Sequence, residues 1–164
     1  MGLAPSGVGP NYFACNLTTV KITTPDAMFH LGATIGAKLV AGDLLLINGP
    51  LGAGKTLLTQ GIGSALGIAG ITSPTFVISR VHEGQIPLIH VDAYRLLDSS
   101  NSNYLLDDLD LDTQRESAVT VIEWGGSESS RLSDERLEIT LEISGDERVV
   151  SATGIGTRWN GFTL

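Results

Sequence analysis

Gly49-Pro50-Leu51-Gly52-Ala53-Gly54-Lys55-Thr56 is the stretch of this chain that decides its fold. It follows the pattern G-x-x-x-x-G-K-[ST], in which the backbone N–H groups of a glycine-rich loop surround a phosphate. Glycine has no Cβ, so the backbone can approach the phosphate closely. The first N–H groups of the following helix have no partner inside the helix and lie at its positive end, where an anion binds. The stretch therefore predicts a phosphate-binding loop.

The sequence on either side has the context that such a loop needs. Asp43–Asn48 is typical of a buried strand, and a helical pattern begins at Lys55. Lys55 is expected to reach the β- and γ-phosphates of a nucleotide, and the Thr56 hydroxyl to bind Mg²⁺. The alternative, a glycine-rich turn that only ends a strand, does not account for the helix that follows. The predicted contacts of this loop with a nucleotide are Leu51, Gly52, Ala53, Gly54, Lys55, Thr56 and Leu57.

Two acidic residues are expected to complete the site. Asp92 ends the apolar segment Pro87–Asp92, and Glu123 ends the segment Thr120–Glu123. The carboxyl ends of parallel strands face the ligand crevice of an open α/β sheet, so both carboxylates are expected near the loop. Each is a candidate to bind Mg²⁺ directly, to bind it through water, or to orient an attacking water. The alternative for either residue is a strand-end acid at the surface.

The composition is that of a folded globular domain. The chain has 164 residues, of which 42% are hydrophobic, and this length suits one domain with its own core. A net charge of −8 argues against unaided binding to nucleic acid. The single cysteine, Cys15, excludes an internal disulfide, and no apolar run approaches the length of a membrane span. These features predict a cytoplasmic protein.

The pattern of elements predicts a single α/β domain of the P-loop NTPase type. We expect a mostly parallel central sheet, helices on both faces, and an antiparallel pair of C-terminal strands joined by the turn at Ser144–Asp146. Residues 1–16 are predicted to be a flexible tail, 17–153 the ATPase domain, and 154–164 a C-terminal tail. Helices are expected from Thr24 to about Val40 and from Lys55 to about Leu66, and a short helical segment within Tyr104–Asp112.

Three further features leave more than one interpretation open. Ser73-Pro74-Thr75 is either a loop that senses the γ-phosphate through a hydroxyl or an ordinary proline turn. His90, alone on its strand, is more often packed or hydrogen-bonded than catalytic. Trp124 is equally compatible with stacking at the site, with a partner surface and with a core position.

In order and spacing these motifs resemble those of the bacterial tRNA threonylcarbamoyladenosine biosynthesis ATPases, the TsaE family. The resemblance covers about Thr24 to Ala152. The residues that carry it are, in chain order, Leu51-Gly52-Ala53-Gly54-Lys55-Thr56, Ser73-Pro74-Thr75-Phe76, His90-Val91-Asp92-Ala93-Tyr94-Arg95-Leu96 and Ile122-Glu123-Trp124.

The resemblance implies a small cytoplasmic ATPase that uses ATP and Mg²⁺. It implies two protein partners, TsaB and TsaD, which modify the adenosine beside the anticodon, so that tRNA is met only through the complex. The ATPase is expected to reset that complex and not to perform the transfer. By this resemblance, Lys55 holds phosphate, Thr56 and Glu123 match the Mg²⁺ ligands, and Asp92 matches a residue needed for hydrolysis. Lys55, Asp92 and Glu123 are thus the expected catalytic residues, and Asp92 is a further candidate to bind Mg²⁺, directly or through water. Ser73 and Thr75 match a switch-like loop and are expected to contact nucleotide.

The chain departs from the family at two positions. Pro50 stands where the family usually has an acid, and Met28 stands where it often has threonine, which puts a contact to adenine or ribose from this helix in doubt. We therefore hypothesise an Mg²⁺-dependent ATPase controlled by a protein complex. The alternatives are a small-molecule or nucleotide kinase, for which the ten lysines and arginines are few and scattered, and a nucleotide-gated binding module that does not hydrolyse.

Overall fold

The predicted apolar and alternating segments form the strands of one sheet. The computed structural model describes residues 17–73, 79–94 and 114–164. Within these residues the chain forms a seven-stranded sheet. Its strands are β1 (Thr18–Ile22), β2 (Leu44–Asn48), β3 (Ser79–His82), β4 (Leu88–Asp92), β5 (Val119–Glu123), β6 (Arg136–Ser144) and β7 (Glu147–Ile155).

The sheet is mixed, and the prediction of a mostly parallel sheet is wrong. The strand order is β1-β7-β6-β2-β5-β4-β3. The central strands β6, β2, β5 and β4 pair in parallel, whereas β1 with β7, β7 with β6, and β3 with β4 are antiparallel. The predicted C-terminal strand pair is present, but β1 adds to it, and β3 closes the other edge. Only the four central strands, which include β2 before the phosphate-binding loop pattern, are parallel.

The two predicted helices are present, with ends set by local chemistry. Helix α1 spans Pro25–Gly36, and Thr24 caps it by accepting a hydrogen bond from the N–H of Ala27 at 3.1 Å. Helix α2 spans Lys55–Ala65. Gly67 follows it at a φ of +79°, and the bonds from Ile68 N to Gly63 O and from Gly67 N to Ser64 O satisfy the last carbonyls. Helix α1 ends at Gly36, so the prediction that it continues towards Val40 is wrong.

Both of these helices pack on the same face of the sheet. They contribute to one core cluster with the residues of alternate strand positions, among them Ile47 of β2, Val121 of β5 and Leu137 of β6. The opposite face carries a second cluster, to which Leu46 and Ile122 belong. Leu132 packs against this cluster, shortly after the one-turn helix α3 (Ser127–Ser130). The prediction of helices on both faces is therefore confirmed in the described residues only for the face that holds α1 and α2.

The C-terminal residues are part of the domain, contrary to the predicted tail at 154–164. Strand β7 continues to Ile155, and a 3-10 turn at Thr157–Trp159 follows it. The Trp159 side chain is buried in the main cluster, against Gly154, where an added Cβ would overlap the Cβ of Trp159. Arg158 forms a bidentate ion pair with Asp43 at 2.9 and 2.7 Å. The domain boundary predicted at residue 153 thus lies inside β7.

Several predictions fall on residues that are not described. These are the flexible tail at 1–16, the helical segment Tyr104–Asp112, and Thr75 in the predicted switch loop. Within the described ranges, no helix combines the length and apolarity that a membrane crossing requires.

Candidate functional site

The loop between β2 and α2 is shaped by glycines. Gly54 is the N-cap of α2 with a φ of +103°, which a residue with a side chain adopts only with strain. Gly49 has a φ of +151°, and a Cβ there would lie 2.6 Å from the carbonyl oxygen of Leu141. Because Gly54 has no side chain, the first N–H groups of α2 are not capped by it and remain available to an anion.

Lys55 is buried at the base of this loop. Its Nζ donates to the carbonyl oxygens of Gly49 at 2.9 Å and Pro50 at 3.0 Å. Burial lowers the pKa of the Lys55 ammonium, and the negative charges of Glu123 and Asp92 oppose that shift. The two carboxylates thus favour the charged form that binds phosphate.

Trp124 lies directly over the lysine. The Lys55 Nζ is 3.7 Å from the centroid of the indole ring, a cation–π contact, and the Tyr94 ring packs on the same indole at a centroid distance of 5.0 Å. Trp124 has a φ of +60°, the left-handed region that costs a bulky residue conformational energy. The backbone N–H of Trp124 donates to the carbonyl of Ile47 at 2.9 Å, so the backbone of β2 helps to hold this conformation.

The predicted acids meet at the carboxyl ends of neighbouring strands. Asp92 ends β4, Glu123 ends β5, and the two are partners in the parallel register. Glu123 is 3% exposed, and its Oε2 accepts a hydrogen bond from the Thr56 hydroxyl at 3.3 Å. Asp92 is partly exposed, and its Oδ1 accepts from the N–H of Tyr94 at 3.0 Å. Asp92 thus faces the solvent side of the site, and Glu123 faces its buried side.

A cavity of about 550 Å³ joins these residues. Most of the predicted site residues line it: Leu51, Gly52, Gly54, Lys55, Thr56, Leu57, Ser73, Asp92 and Glu123. Ala53 is buried and lines the adjoining cavity instead. The predicted contact Thr75 lies outside the described residues. The structure therefore brings the described members of the predicted set to one cavity and to the cavity beside it.

The oxygen atoms in the cavity fit a magnesium ion better than a transition metal. Thr56 supplies a hydroxyl, and Glu123 and Asp92 supply carboxylates, all hard ligands. The described residues contain no group of three or more His, Cys, Asp or Glu side chains that could hold a metal ion by themselves. Magnesium at phosphate sites characteristically uses one or two carboxylates and completes its shell with water and phosphate oxygens. The site has this form.

Three side chains at the site were not assigned there from the sequence. Thr59 lies one turn after Thr56 on α2, and its hydroxyl is 3.3 Å from Glu123 Oε1. His90 is fully buried, and its Nε2 is 2.8 Å from the same oxygen. Tyr94 lines the cavity, two residues after Asp92. The sequence signal for His90 is its position two residues before Asp92, a spacing that places both side chains on one face of β4.

A second, smaller cavity of about 270 Å³ adjoins the loop on its other side. It shares Gly52, Gly54 and Leu57 with the larger cavity. Its remaining lining comes from the end of β1, from the start of α1, including Thr24 and Met28, and from Asp146 and Arg148 at and just after the turn between β6 and β7. The two cavities thus meet at the loop, whose residues line both of them.

The chain matches a family model over most of this region. The model described as "Threonylcarbamoyl adenosine biosynthesis protein TsaE" matches residues 22–150, from the end of β1 into β7.

Similar proteins carry the corresponding name. A protein named "tRNA threonylcarbamoyladenosine biosynthesis protein TsaE" from Mycobacterium bovis is 50% identical over 131 residues, which cover 76% of this chain and 78% of the relative. Proteins of the same name from Streptomyces coelicolor and Bacillus subtilis are 44% and 40% identical, covering 80% and 75% of this chain and 93% and 80% of theirs. The crystal structure of YdiB from Bacillus subtilis superposes with a TM-score of 0.74 at 29% identity, over 90% of this chain and 92% of that one.

Proposed function

The chain belongs to the TsaE family, with a role in tRNA threonylcarbamoyladenosine biosynthesis, and on that premise we propose that it is a P-loop, Mg²⁺-dependent ATPase. It acts in the cytoplasm on a complex of TsaB and TsaD, and its own hydrolysis is slow without them. It meets tRNA only through that complex.

One observation carries this proposal. The charged Lys55, the Thr56 hydroxyl and the carboxylates of Asp92 and Glu123 converge on one cavity at the uncapped start of α2. Lys55 and Thr56 begin α2, whereas Asp92 and Glu123 come from two later parts of the chain and are set side by side by the parallel register of β4 and β5. A lysine, a hydroxyl and strand-end carboxylates beside a glycine-rich loop are the parts that phosphoryl transfer from a nucleotide requires.

The geometry supports a division of roles among these residues. The loop amides and Lys55 hold the β- and γ-phosphates. To do so, Lys55 gives up its hydrogen bonds to the carbonyls of Gly49 and Pro50 and donates to phosphate oxygens instead. Thr56 and Glu123 hold Mg²⁺, which supplies positive charge that offsets the charge of the phosphate oxygens. Asp92, on the solvent side, orients the attacking water or holds a water of the metal shell. Positioning and charge account for the catalysis, since phosphoryl transfer asks little covalent chemistry of the protein.

The second cavity supports a nucleotide rather than a free phosphate as ligand. It adjoins the phosphate site along Gly52 and Gly54, so that a phosphate chain bound at the loop leads into it. Its volume of about 270 Å³ suits the nucleoside part of ATP. Met28 and Leu57 line this cavity and would give the nucleoside apolar contacts.

The charge of the chain supports a protein partner. A net charge of −8 disfavours direct contact with the phosphates of tRNA. Two apolar side chains stand at the rim of the larger cavity, Leu51 with 87% and Tyr94 with 54% of their surface exposed. Both would be covered by a partner protein that closes over the nucleotide.

Replacing Lys55 with alanine tests the proposal. Phosphate release from ATP is measured with the TsaB and TsaD homologues of the same organism, with and without Mg²⁺. We expect Lys55→Ala to lower turnover by about 100-fold, as loss of one preorganised charge at a reacting centre does. Lys21→Ala is the matched control: it also removes one positive charge, from the exposed side of β1, and is expected to keep full turnover.

The outcomes separate this proposal from its alternatives. Unchanged turnover in Lys55→Ala would remove the ATPase site proposed here. Transfer of the γ-phosphate from ATP to an acceptor other than water would favour a kinase. Nucleotide-dependent assembly with TsaB and TsaD, without phosphate release under any condition, would favour a gated binding module.

A further inference from the structure

We propose that His90 is a positioning residue that orients the Glu123 carboxylate for the metal. The inference rests on the proposed function, because it assigns a role toward the Mg²⁺ that Thr56 and Glu123 would hold. It adds a residue that touches neither nucleotide nor metal and acts through Glu123.

The contact between the two side chains is short and fully buried. His90 Nε2 lies 2.8 Å from Glu123 Oε1, and the two side chains are 0% and 3% exposed. Water cannot compete for such a bond, so the carboxylate is held by the protein and not by solvent. His90 stands opposite Val121 in the parallel register of β4 and β5, two residues before the strand end on each side. The sheet itself therefore fixes the distance between the ring and the carboxylate.

The surroundings of the ring select one tautomer. His90 Nδ1 is buried, and no hydrogen-bond partner lies near it among the residues that the structure describes. A neutral ring with its proton on Nε2 donates that proton to Glu123 and leaves only a lone pair unmatched at Nδ1. A proton on Nδ1 would instead leave a buried donor without an acceptor, which is costly. The ring is thus a donor aimed at one oxygen of Glu123.

The remaining contacts show why this donor matters for the other oxygen. Thr59 also approaches Oε1, at 3.3 Å, but its hydroxyl is nearer to the carbonyl of Lys55 at 3.0 Å, and it has only one proton to donate. His90 is therefore the principal donor to Oε1. With Oε1 held, the carboxylate presents Oε2 to Thr56 Oγ1 at 3.3 Å, the side on which the metal would bind. Removing the His90 donor frees the carboxylate to rotate.

The experiment compares how much Mg²⁺ tightens ADP binding in a set of His90 variants. Calorimetry gives the Kd of ADP with EDTA and with saturating Mg²⁺, and their ratio is the magnesium enhancement. The glutamine of His90→Gln can place its amide nitrogen where Nε2 stands, whereas the shorter asparagine of His90→Asn places it near Nδ1. His90→Leu removes the donor entirely.

We expect His90→Asn and His90→Leu to lose about 10-fold or more of the enhancement, the loss typical when the partner of a metal ligand is removed. His90→Gln should retain most of it. The Kd of ADP in EDTA should stay unchanged in all three, since the loop and Lys55 are intact. In a Glu123→Gln background, His90→Asn should have no further effect on the enhancement, because the carboxylate that it orients is gone.

Two results would overturn the inference: a wild-type enhancement in a folded His90→Asn protein, or an equal loss in His90→Gln and His90→Asn. If His90→Leu does not fold, the glutamine and asparagine pair decides, since both variants keep a polar amide of similar size in the buried position. Failure of the proposed function looks different. Wild-type protein that binds ADP equally with EDTA and Mg²⁺ would remove the magnesium site, and this inference with it.

Discussion

At the scale of single residues, the site shows how burial and partners decide the state of each ionisable group. Lys55 is kept beside two carboxylates that offset part of the cost of burying its charge. Among the described residues, His82 on strand β3 has no carboxylate that raises its pKa. Burial lowers the pKa of His82 first, and the positive charge of Arg80 lowers it further. Neighbouring charges thus oppose the effect of burial at Lys55 and add to it at His82.

His82 predicts an acid dependence of stability. Its pKa in the folded chain lies below the ordinary value of 6.5, so in the window between the two the unfolded chain binds more protons. The free energy of unfolding must then fall as the pH drops below about 6.5. His82→Gln, which cannot take up a proton, should flatten this fall in urea denaturation curves recorded between pH 7.5 and pH 5. His30→Gln, at an exposed position of α1, serves as control, and a slope as steep in His82→Gln as in wild type would contradict the prediction.

At the scale of elements, the helix ends and the loop were predictable because their causes are local. Thr24 with Pro25 starts α1 and Gly67 ends α2, each through bonds that span at most five positions. The contact between His90 and Glu123 joins residues 33 positions apart, and it depends on β4 lying beside β5. The alternation of residues along a strand predicts the face of the sheet on which each side chain lies, but it does not predict which strand lies beside it. The sequence therefore predicts that the acids lie near the loop and that His90 is packed or hydrogen-bonded, but not that its hydrogen-bond partner is Glu123.

The close approach of α1 to α2 is a second element-scale feature that periodicity did not reveal. The four-residue spacing of Ala27, Leu31, Ile35 and Leu39 predicts the buried stripe of this region, and Ile35 and Leu39 are buried, but α1 also buries Met28 and Gly32. A Cβ on Gly32 would overlap the carbonyl oxygen of Leu58, and one on Gly61 that of Phe29. Glycines on both helices thus let the two backbones touch, which also fixes where α2 presents Lys55 and Thr56.

Gly61→Ala should therefore destabilise the protein although alanine favours helix. The propensity gain is at most about 1 kcal/mol. The added methyl group would have to displace the α1 backbone, and overpacking of this kind typically costs about 1–3 kcal/mol. We expect a net loss in free energy of unfolding by guanidinium denaturation. Thr34→Ala, on the exposed side of α1, should change it by less than about 0.5 kcal/mol. A Gly61→Ala protein as stable as wild type would mean that the helices can separate freely.

At the scale of the whole molecule, the C-terminal residues close the domain over the amino end of β2. Trp159 fills the core beside Gly154, and Arg158 pairs with Asp43, 115 positions earlier in the chain. The alternating pattern of β7 stops near its end, so the sequence carries no periodic signal for this closure, and a tail was predicted instead. The same reason explains the mixed sheet: the hairpin of β6 and β7 was predictable, but its place beside β2 is set by burial across the whole chain.

The pair between Arg158 and Asp43 predicts how much this closure contributes. Asp43 is 5% exposed, and besides the two guanidinium bonds it accepts the N–H of Val40, while Arg158 also donates to the Lys38 carbonyl. Arg158→Leu leaves the buried carboxylate without its cation and should cost about 3 kcal/mol of unfolding free energy. Arg158→Lys keeps the charge but not the planar fork, and an intermediate loss is expected.

A double-mutant cycle distinguishes this pair from an exposed one. Asp43→Asn combined with Arg158→Leu should lose less than the sum of the two single changes, because each single change leaves one charge unpaired and the double variant leaves none. Lys21 and Glu147, 3.7 Å apart and largely exposed, are the reference pair, and their coupling should not exceed about 0.5 kcal/mol. Additive losses at Asp43 and Arg158 would show that the ion pair contributes no more to holding the C-terminal turn than the exposed reference pair contributes at its own site.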